Sequence, residues 1–232
     1  MALVGAGEFL PAMEAIDHLL LSAAGCARPR VVILPTASWP DGEPVFARWA
    51  AMGEEHFARL GAEVETAPVR DRVAADDPAC AQAIGEADLV YLSGGKPDYL
   101  ARTLVGTAAG AAIRAAHERG AVVAGSSAGA MVLAGRHVLL GRRSAFPLLL
   151  RWRDALGLVP GTAVIPHYDA FPEPLSALVA LRSPREIVVL GIDGDTAAIL
   201  HGDGWQVLGS GRVTVWRGRR RERIRAGETF RL

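Results

Sequence analysis

The chain reads as an α/β protein built on a doubly wound, mostly parallel sheet, with helices on both faces and a C-terminal antiparallel extension. Three observations predict this. Continuous apolar runs such as Val31-Val32-Ile33-Leu34 and Leu89-Val90-Tyr91-Leu92 have the character of strands covered on both faces. Helical stretches of roughly 10 to 16 residues alternate with them, as in βαβ units. Glycine-rich turns follow several of the runs, at the strand ends where open α/β sheets hold their ligands.

In order, Leu3-Val4-Gly5-Ala6-Gly7-Glu8 is a first strand ending in a glycine turn, and Pro11 to Ala24 has the apolar spacing of a helix. Arg30 to Pro35 is the second strand, and Pro35-Thr36-Ala37-Ser38 is a polar loop at its end. A helix from about Val45 closes at Gly61, Glu63 to Val69 is a third strand, and Asp76 to Glu86 is a short helix. The fourth strand, Asp88 to Leu92, runs into Ser93-Gly94-Gly95-Lys96-Pro97-Asp98 and a further helix. Ala108 to Arg119 is helical, with Gly120 as its stop, and the fifth strand begins at Ala121. The turns after strands one, two, four and five are expected to face one crevice.

Beyond Gly135 the pattern is less regular. Arg136 to Arg153 is expected as a strand-like excursion and loop over the crevice, and Thr162 to Pro166 as a strand delivering His167. A helix near Leu175 to Leu181 follows, then short strands at Ile187, Ala197, Gln206 and Val213, expected as an antiparallel extension on the sheet edge. Arg217 to Arg225 is a charge run that reads as a solvated last hairpin. Residues 1–232 carry no repeat and no linker, so a single domain is expected.

Half the residues are hydrophobic and 22% are charged, which suits a soluble globular protein. The formal net charge of zero gives no electrostatic case for nucleic acid or an anionic membrane as partner. No apolar run approaches the length of a membrane span. Cys26 and Cys80 are too isolated for metal-ligand spacing and read as free thiols of a reducing cytoplasm. The segment before Cys26 carries Glu8, Glu14 and Asp17 and has no basic start, which argues against an export signal.

The most informative stretch runs from Ala121 to Met131. A short apolar strand meets Gly125-Ser126-Ser127-Ala128-Gly129, and an apolar helix follows. This is the spacing of the nucleophile elbow, in which glycines remove the Cβ atoms that would clash as strand bends into helix. Ser127 then stands at the tip, with the first N–H groups of the helix beside the reacting carbon. The pattern alone suits a structural turn equally well. A serine nucleophile needs a base, and of six histidines only His167 ends a predicted strand; His18, His56 and His117 fall in predicted helices.

Tyr91-Leu92-Ser93-Gly94-Gly95, Gly125 to Ala130, Ile165-Pro166-His167-Tyr168 and Gly191-Ile192-Asp193-Gly194-Asp195-Thr196-Ala197, together with Pro35 to Ser38, resemble the serine peptidase family of α-aspartyl dipeptidase (dipeptidase E) and cyanophycinase. The resemblance covers nearly the whole chain. It implies a class I glutamine amidotransferase-like fold, Ser127 as nucleophile, His167 as general base, and oxyanion donors at the backbone N–H groups of Gly95 and Ala128. It implies a small aspartyl peptide as substrate, with no metal or organic cofactor; a cytoplasmic monomer or homodimer is expected.

The chain departs from the family pattern in one respect. The family supplies a carboxylate some 15 to 20 residues after the serine, whereas Gly141-Arg142-Arg143-Ser144-Ala145-Phe146 holds none. Asp154 is the only acid between Ser127 and His167, and Asp169 and Glu173 follow closely; the third member is left unassigned. Lys96, the only lysine, and Arg142 and Arg143, with Arg151 and Arg153 nearby, are candidates to hold a substrate carboxylate. A catalytically silent relative binding a peptide or metabolite in the same crevice is the alternative. Cyanophycinase-like activity is disfavoured by Lys96 and Gly194, and a simple esterase by the short chain and the absence of a His-Gly-Gly loop.

Overall fold

A computed structural model describes residues 1–140 and 150–232. Eight strands form the main sheet: β1 (Ala2–Val4), β2 (Arg30–Leu34), β3 (Glu63–Thr66), β4 (Leu89–Leu92), β5 (Val122–Ser126), β10 (Thr196–His201), β11 (Gly204–Gly209) and β14 (Thr229–Phe230). Their order is β14-β11-β10-β1-β5-β4-β2-β3. The five strands from β3 to β1 are parallel, and β10, β11 and β14 add antiparallel strands beside β1.

Alternation within the apolar runs divides the core into two layers. Val32, Leu34, Val90, Leu92 and Val123 turn to one face, while Val31, Ile33, Leu89, Tyr91 and Ala124 turn to the other. Helices α4 (Pro78–Glu86), α5 (Pro97–Leu104), α6 (Ala108–Glu118) and α7 (Ala128–Leu133) bury residues on the first face. On the second lie α1 (Glu14–Ala23) and α2 (Glu43–Arg59), which also share the buried Asp17–His56 pair, 2.8 Å apart. A four-residue turn of helix, α3 (Arg72–Ala75), precedes α4 and is capped by Asp71, and α4 itself is capped by Asp77 with Pro78 at its first position.

Two parts of the C-terminal half differ from the sequence expectation. The strand before His167, β8 (Thr162–Ile165), does not join the main sheet. It pairs in parallel with β9 (Val188–Ile192) in a second sheet of order β13-β12-β9-β8, which includes β12 (Arg212–Arg217) and β13 (Arg220–Arg225). The tail strands are thus divided between two sheets instead of forming one extension, because an apolar run encodes burial and not a partner. Second, β6 (Arg136–Leu140) and β7 (Leu150–Asp154) form an antiparallel hairpin of their own. The last hairpin, β12 with β13, carries the basic run; Arg221 and Arg223 both pair with Glu173 at the start of α8 (Glu173–Leu181).

The two sheets meet where β1 ends. A Cβ on Gly5 would stand 2.0 Å from the carbonyl oxygen of Asp193 and 2.6 Å from that of Ile192, so only glycine lets β1 and β9 converge there. Asp195 N–H donates to Ala6 O at 3.2 Å just beyond. This junction carries the end of β8 to the rim where β1, β4 and β5 also end. Among the described residues no helix is long and apolar enough to cross a membrane.

Candidate active site

The turn from β5 into α7 depends on glycine at two positions. A Cβ on Gly129 would meet Leu92 O at 2.2 Å, and one on Gly125 would meet the Gly129 carbonyl carbon at 2.6 Å. With both glycines in place, helix α7 sits directly on β4. Ser127 between them is forced to φ 51° and ψ −108°, a strained conformation for a side-chain-bearing residue. Its N–H donates to Val4 O at 3.0 Å and its carbonyl accepts from Met131 N–H at 3.1 Å, so strand β1 and helix α7 hold the strained residue from both sides.

His167 follows β8 and Pro166 and takes left-handed backbone angles, φ 50° and ψ 39°. The next residue anchors it. Tyr168 is buried, its hydroxyl accepting from Trp216 Nε1 at 3.0 Å and from Ser176 Oγ at 3.1 Å. His167 is therefore an exposed ring fixed by a buried neighbour. Ser127 Oγ lies 2.9 Å from His167 Nε2 across 40 residues of sequence. This is hydrogen-bonding range, and the pair has the geometry in which an imidazole takes a proton from an attacking hydroxyl.

The turn after β4 closes the other side. A Cβ on Gly94 would lie 3.2 Å from Ser127 Cβ, and one on Gly95, at φ 141°, would strike Ala37 O at 2.3 Å. Lys96 N–H donates to Ala37 O at 2.7 Å, tying this turn to the one after β2. Neither Gly95 N–H nor Ala128 N–H, the first of α7, has a protein acceptor among the described residues. Both are thus available to an external oxygen.

A cavity of about 410 Å³ opens on the pair, lined by Gly7 and Glu8 after β1, Ser38 and Asp41 after β2, Gly94 and Gly95, Ser127 and His167. The turns after strands one, two, four and five do face one crevice. A second cavity, of about 390 Å³, lies on the far side of His167 and is mostly apolar, with Met131, Val164, Ile165, Phe171 and Val179 in its wall.

The remaining candidates fall elsewhere. Lys96 Nζ pairs with Asp41 Oδ1 at 3.2 Å, which places it between the two cavities. Arg142 and Arg143 lie outside the described residues. Arg151 and Arg153 are exposed on β7, and Arg153 lines a separate cavity with Arg136, His137 and Trp152. Asp154 faces Arg136 at 3.4 Å and Asp169 accepts from Gly194 N–H at 2.7 Å. Among the described residues, no carboxylate hydrogen-bonds the second ring nitrogen of His167. Nor does any group of three His, Cys, Asp or Glu side chains stand where it could hold a metal ion.

The arrangement has counterparts in known proteins. The family model described as peptidase family S51 matches residues 1–208. The chain belongs to peptidase family S51. Among S51 relatives, the cyanophycinase of Trichormus variabilis is 32% identical over 201 residues, which are 83% of this chain and 64% of that protein. The chain therefore spans somewhat under two thirds of that relative's length. The cyanophycinase of Geminocystis herdmanii is 29% identical over 83% of this chain and 71% of its own. The crystal structure of a peptidase from an acI-B1 Actinobacterium superposes with a TM-score of 0.89 at 31% identity, covering 100% of this chain and 96% of that one. A putative peptidase E protein from Listeria monocytogenes, 19% identical with a TM-score of 0.59 over 97% of this chain and 98% of its own, shares the fold.

One residue at this crevice escapes sequence reasoning. Glu8 is buried, with Oε1 accepting from Gly94 N–H at 2.8 Å and Oε2 from Ser126 Oγ at 2.6 Å. The only sequence signal is a carboxylate directly after the glycine turn of the first strand, in Gly5-Ala6-Gly7-Glu8. Behind it, burial holds the Tyr91 hydroxyl well above its ordinary pKa, with the charges of Asp17 and Glu8 adding to the effect, so that phenol stays neutral.

Proposed function

We propose that this chain is a serine peptidase that hydrolyses small peptides at an aspartyl residue through Ser127 and His167. The observation that carries the reading is the 2.9 Å contact between Ser127 Oγ and His167 Nε2 at the tip of a strained elbow. His167 takes the hydroxyl proton as Oγ attacks the scissile carbonyl carbon, and the N–H groups of Gly95 and Ala128 receive the oxyanion. The imidazolium then gives its proton to the leaving amine. Water, deprotonated by the same ring, resolves the acyl-enzyme and restores Ser127.

The two cavities flanking His167 suit the two sides of a short peptide. Glu8 and Asp41 line the first, and with Asp41 paired to Lys96 it is the charge of Glu8 that favours a free α-ammonium group there. Lys96, at the boundary between the cavities, is the described cation nearest in role to a partner for an aspartyl carboxylate. The family relationship supports peptide hydrolysis, the free thiols of Cys26 and Cys80 suit a reducing cytoplasm, and the steps above call on no metal or organic cofactor.

A fluorophosphonate probe tests the nucleophile. The wild type is expected to gain one adduct and Ser127→Ala none. Turnover of Asp-Xaa dipeptides, β-Asp-Arg and simple esters then sorts the bond class, with Asp-Xaa expected to be fastest. A second reading, a silent relative that binds a peptide without cleaving it, draws on the lack of a carboxylate on His167, since a disabled acid costs about 10⁴ in turnover. A wild type that takes no adduct yet binds Asp-Xaa by calorimetry would decide for it.

A further inference from the structure

Among the described residues, the site has no acid on its histidine but has a buried acid at the end of β1. Glu8 is 6% exposed, and its two oxygens are each used once. Oε1 takes the N–H of Gly94, the residue before the oxyanion glycine, and Oε2 takes the hydroxyl of Ser126, the residue before the nucleophile. One carboxylate thus links two turns that come from different strands, β4 and β5, from a third strand end, that of β1.

The fit is tight. A Cβ on Gly94 would stand 2.6 Å from Glu8 Oε1, 3.2 Å from Ser127 Cβ and 3.6 Å from Ser127 Oγ, so carboxylate, glycine turn and nucleophile touch at a single point. Both turns are under strain or in glycine-only geometry, Ser127 at φ 51° and Gly95 at φ 141°. Such conformations persist only where surrounding bonds over-determine them. An oxyanion donor acts only when it is aimed at the place where charge develops, so the distance between Gly95 N–H and Ser127 Oγ has to be fixed before substrate arrives.

The geometry points to Glu8 as the positioning residue of this site, a clamp that fixes the Gly94-Gly95 turn against the Ser127 elbow and so sets the oxyanion geometry, in place of an acid that orients the histidine. The inference rests on Ser127 as nucleophile. It makes Glu8 work through hydrogen bonds to its neighbours and not through contact with substrate. A neutral glutamine can reproduce both bonds, its carbonyl accepting from Gly94 N–H and its amide donating to a rotated Ser126 hydroxyl. Alanine can make neither, and it leaves the Gly94 N–H and the Ser126 hydroxyl buried without a partner.

The experiment follows the second-order rate of fluorophosphonate labelling in wild type, Glu8→Gln, Glu8→Ala, Ser126→Ala and Ser127→Ala, together with hydrogen exchange at the Gly94 amide by NMR. Glu8→Ala is expected to label about 10²-fold more slowly, the loss typical of a misplaced oxyanion donor, with faster Gly94 exchange. Glu8→Gln is expected to stay within about tenfold of wild type with the Gly94 amide still protected, the cost of a neutral acceptor in place of a charged one. Ser126→Ala, which removes only the Oε2 bond and covers the case in which Glu8→Ala does not fold, is expected to fall between them. Equal slowing in Glu8→Gln and Glu8→Ala overturns the positioning role, because charge would then outweigh geometry. So does labelling of Glu8→Ala, or of Ser126→Ala where the former is unfolded, at the wild-type rate. Undiminished labelling of Ser127→Ala would instead remove the nucleophile, while Gly94 exchange would still report whether Glu8 holds the turn.

Discussion

Tyr168 packs its ring against Gly191 so closely that a Cβ at position 191 would stand 2.2 Å from Cδ2 and 2.4 Å from Cε2. The ring is otherwise held at its hydroxyl by Trp216 and Ser176, so it can shift only by breaking those bonds. Because His167 precedes Tyr168 in a left-handed turn, the position of the imidazole is set by a glycine 24 residues downstream on β9. Gly191→Ala is expected to destabilise the fold by about 1–3 kcal/mol, the usual cost of overpacking, and to slow labelling of Ser127 by more than tenfold. Urea unfolding and fluorophosphonate kinetics on the one variant check both. A normal labelling rate in a destabilised protein would mean that Tyr168 does not seat the histidine.

Strain at the elbow gives a prediction of the opposite sign for stability. Ser127 at φ 51° and ψ −108° is in a conformation costing on the order of 1–3 kcal/mol for a residue with a Cβ. Glycine removes that cost but loses about 0.5–1 kcal/mol through the greater freedom of the unfolded chain. Ser127→Gly is therefore expected to raise stability by about 1 kcal/mol while abolishing the adduct, whereas Ser127→Ala abolishes the adduct with the strain retained. Thermal unfolding of the two variants side by side makes the comparison. Equal midpoints would show that the elbow stores no strain.

Much of this site is legible in the sequence, for a local reason. The apolar runs at Val31 and Leu89, the glycines at 94, 95, 125 and 129, and the strand before His167 are encoded by neighbouring residues, and the crevice then follows from the rule that strand ends share a rim. Two features resist such reading. The division of the tail between two sheets depends on the approach of Gly5 to Asp193, nearly the whole chain apart, and nothing in Ile187 to Gly191 distinguishes a β8 partner from an edge of the main sheet. Glu8 reaches Ser126 across 118 residues, and a lone acid after a strand has the same appearance whether solvated or clamped. The hairpin of β6 and β7 is half-legible. β7, Leu150-Arg151-Trp152-Arg153-Asp154, alternates as a strand should while β6 does not, and the register joining Arg136 to Asp154 is a pairing property.

His137 supplies a pH dependence with a definite sign. It is buried on β6, and desolvation pushes its pKa below the ordinary value; Asp98, 3.9 Å from Nε2, opposes that shift, Arg153 adds to it, and Asp154 opposes it weakly. Burial lowers His117 as well. A histidine whose folded pKa lies below its unfolded value binds its proton first in the unfolded chain, so its contribution to stability is present above about pH 6.5 and is lost as pH falls toward the folded value. The buried Asp17 and Asp193 are raised, mainly by desolvation, and act in the opposite direction, losing their contribution as pH rises from about 3.9. Urea midpoints at about pH 7.5 and about pH 5.5 are expected to fall on acidification, and the fall is expected to be smaller in His137→Gln, where the carboxylate effects remain. An identical drop in both proteins would place the proton uptake elsewhere.

The apolar cavity beside His167 leads to a prediction about specificity. Its wall contains Met131, Val164, Ile165, Phe171 and Val179, with Lys96 and Asp98 as the charged side chains among its described lining residues, so a peptide residue entering it exchanges water for hydrocarbon. Phe171 is half-buried and contributes an aromatic face to that wall, which makes it the residue whose truncation removes most contact area without touching Ser127 or His167. Binding lost in this way is lost equally from ground state and transition state, so it enters KM and leaves kcat alone. For Phe171→Ala, KM is expected to rise roughly 5- to 50-fold for Asp-Phe and Asp-Leu, the equivalent of about 1–2.3 kcal/mol of apolar contact, and less than about twofold for Asp-Gly. Steady-state kinetics on the three dipeptides reads the difference. A uniform rise for all three would mean that Phe171 shapes the site as a whole, and no rise for any would mean that the leaving residue lies outside this cavity.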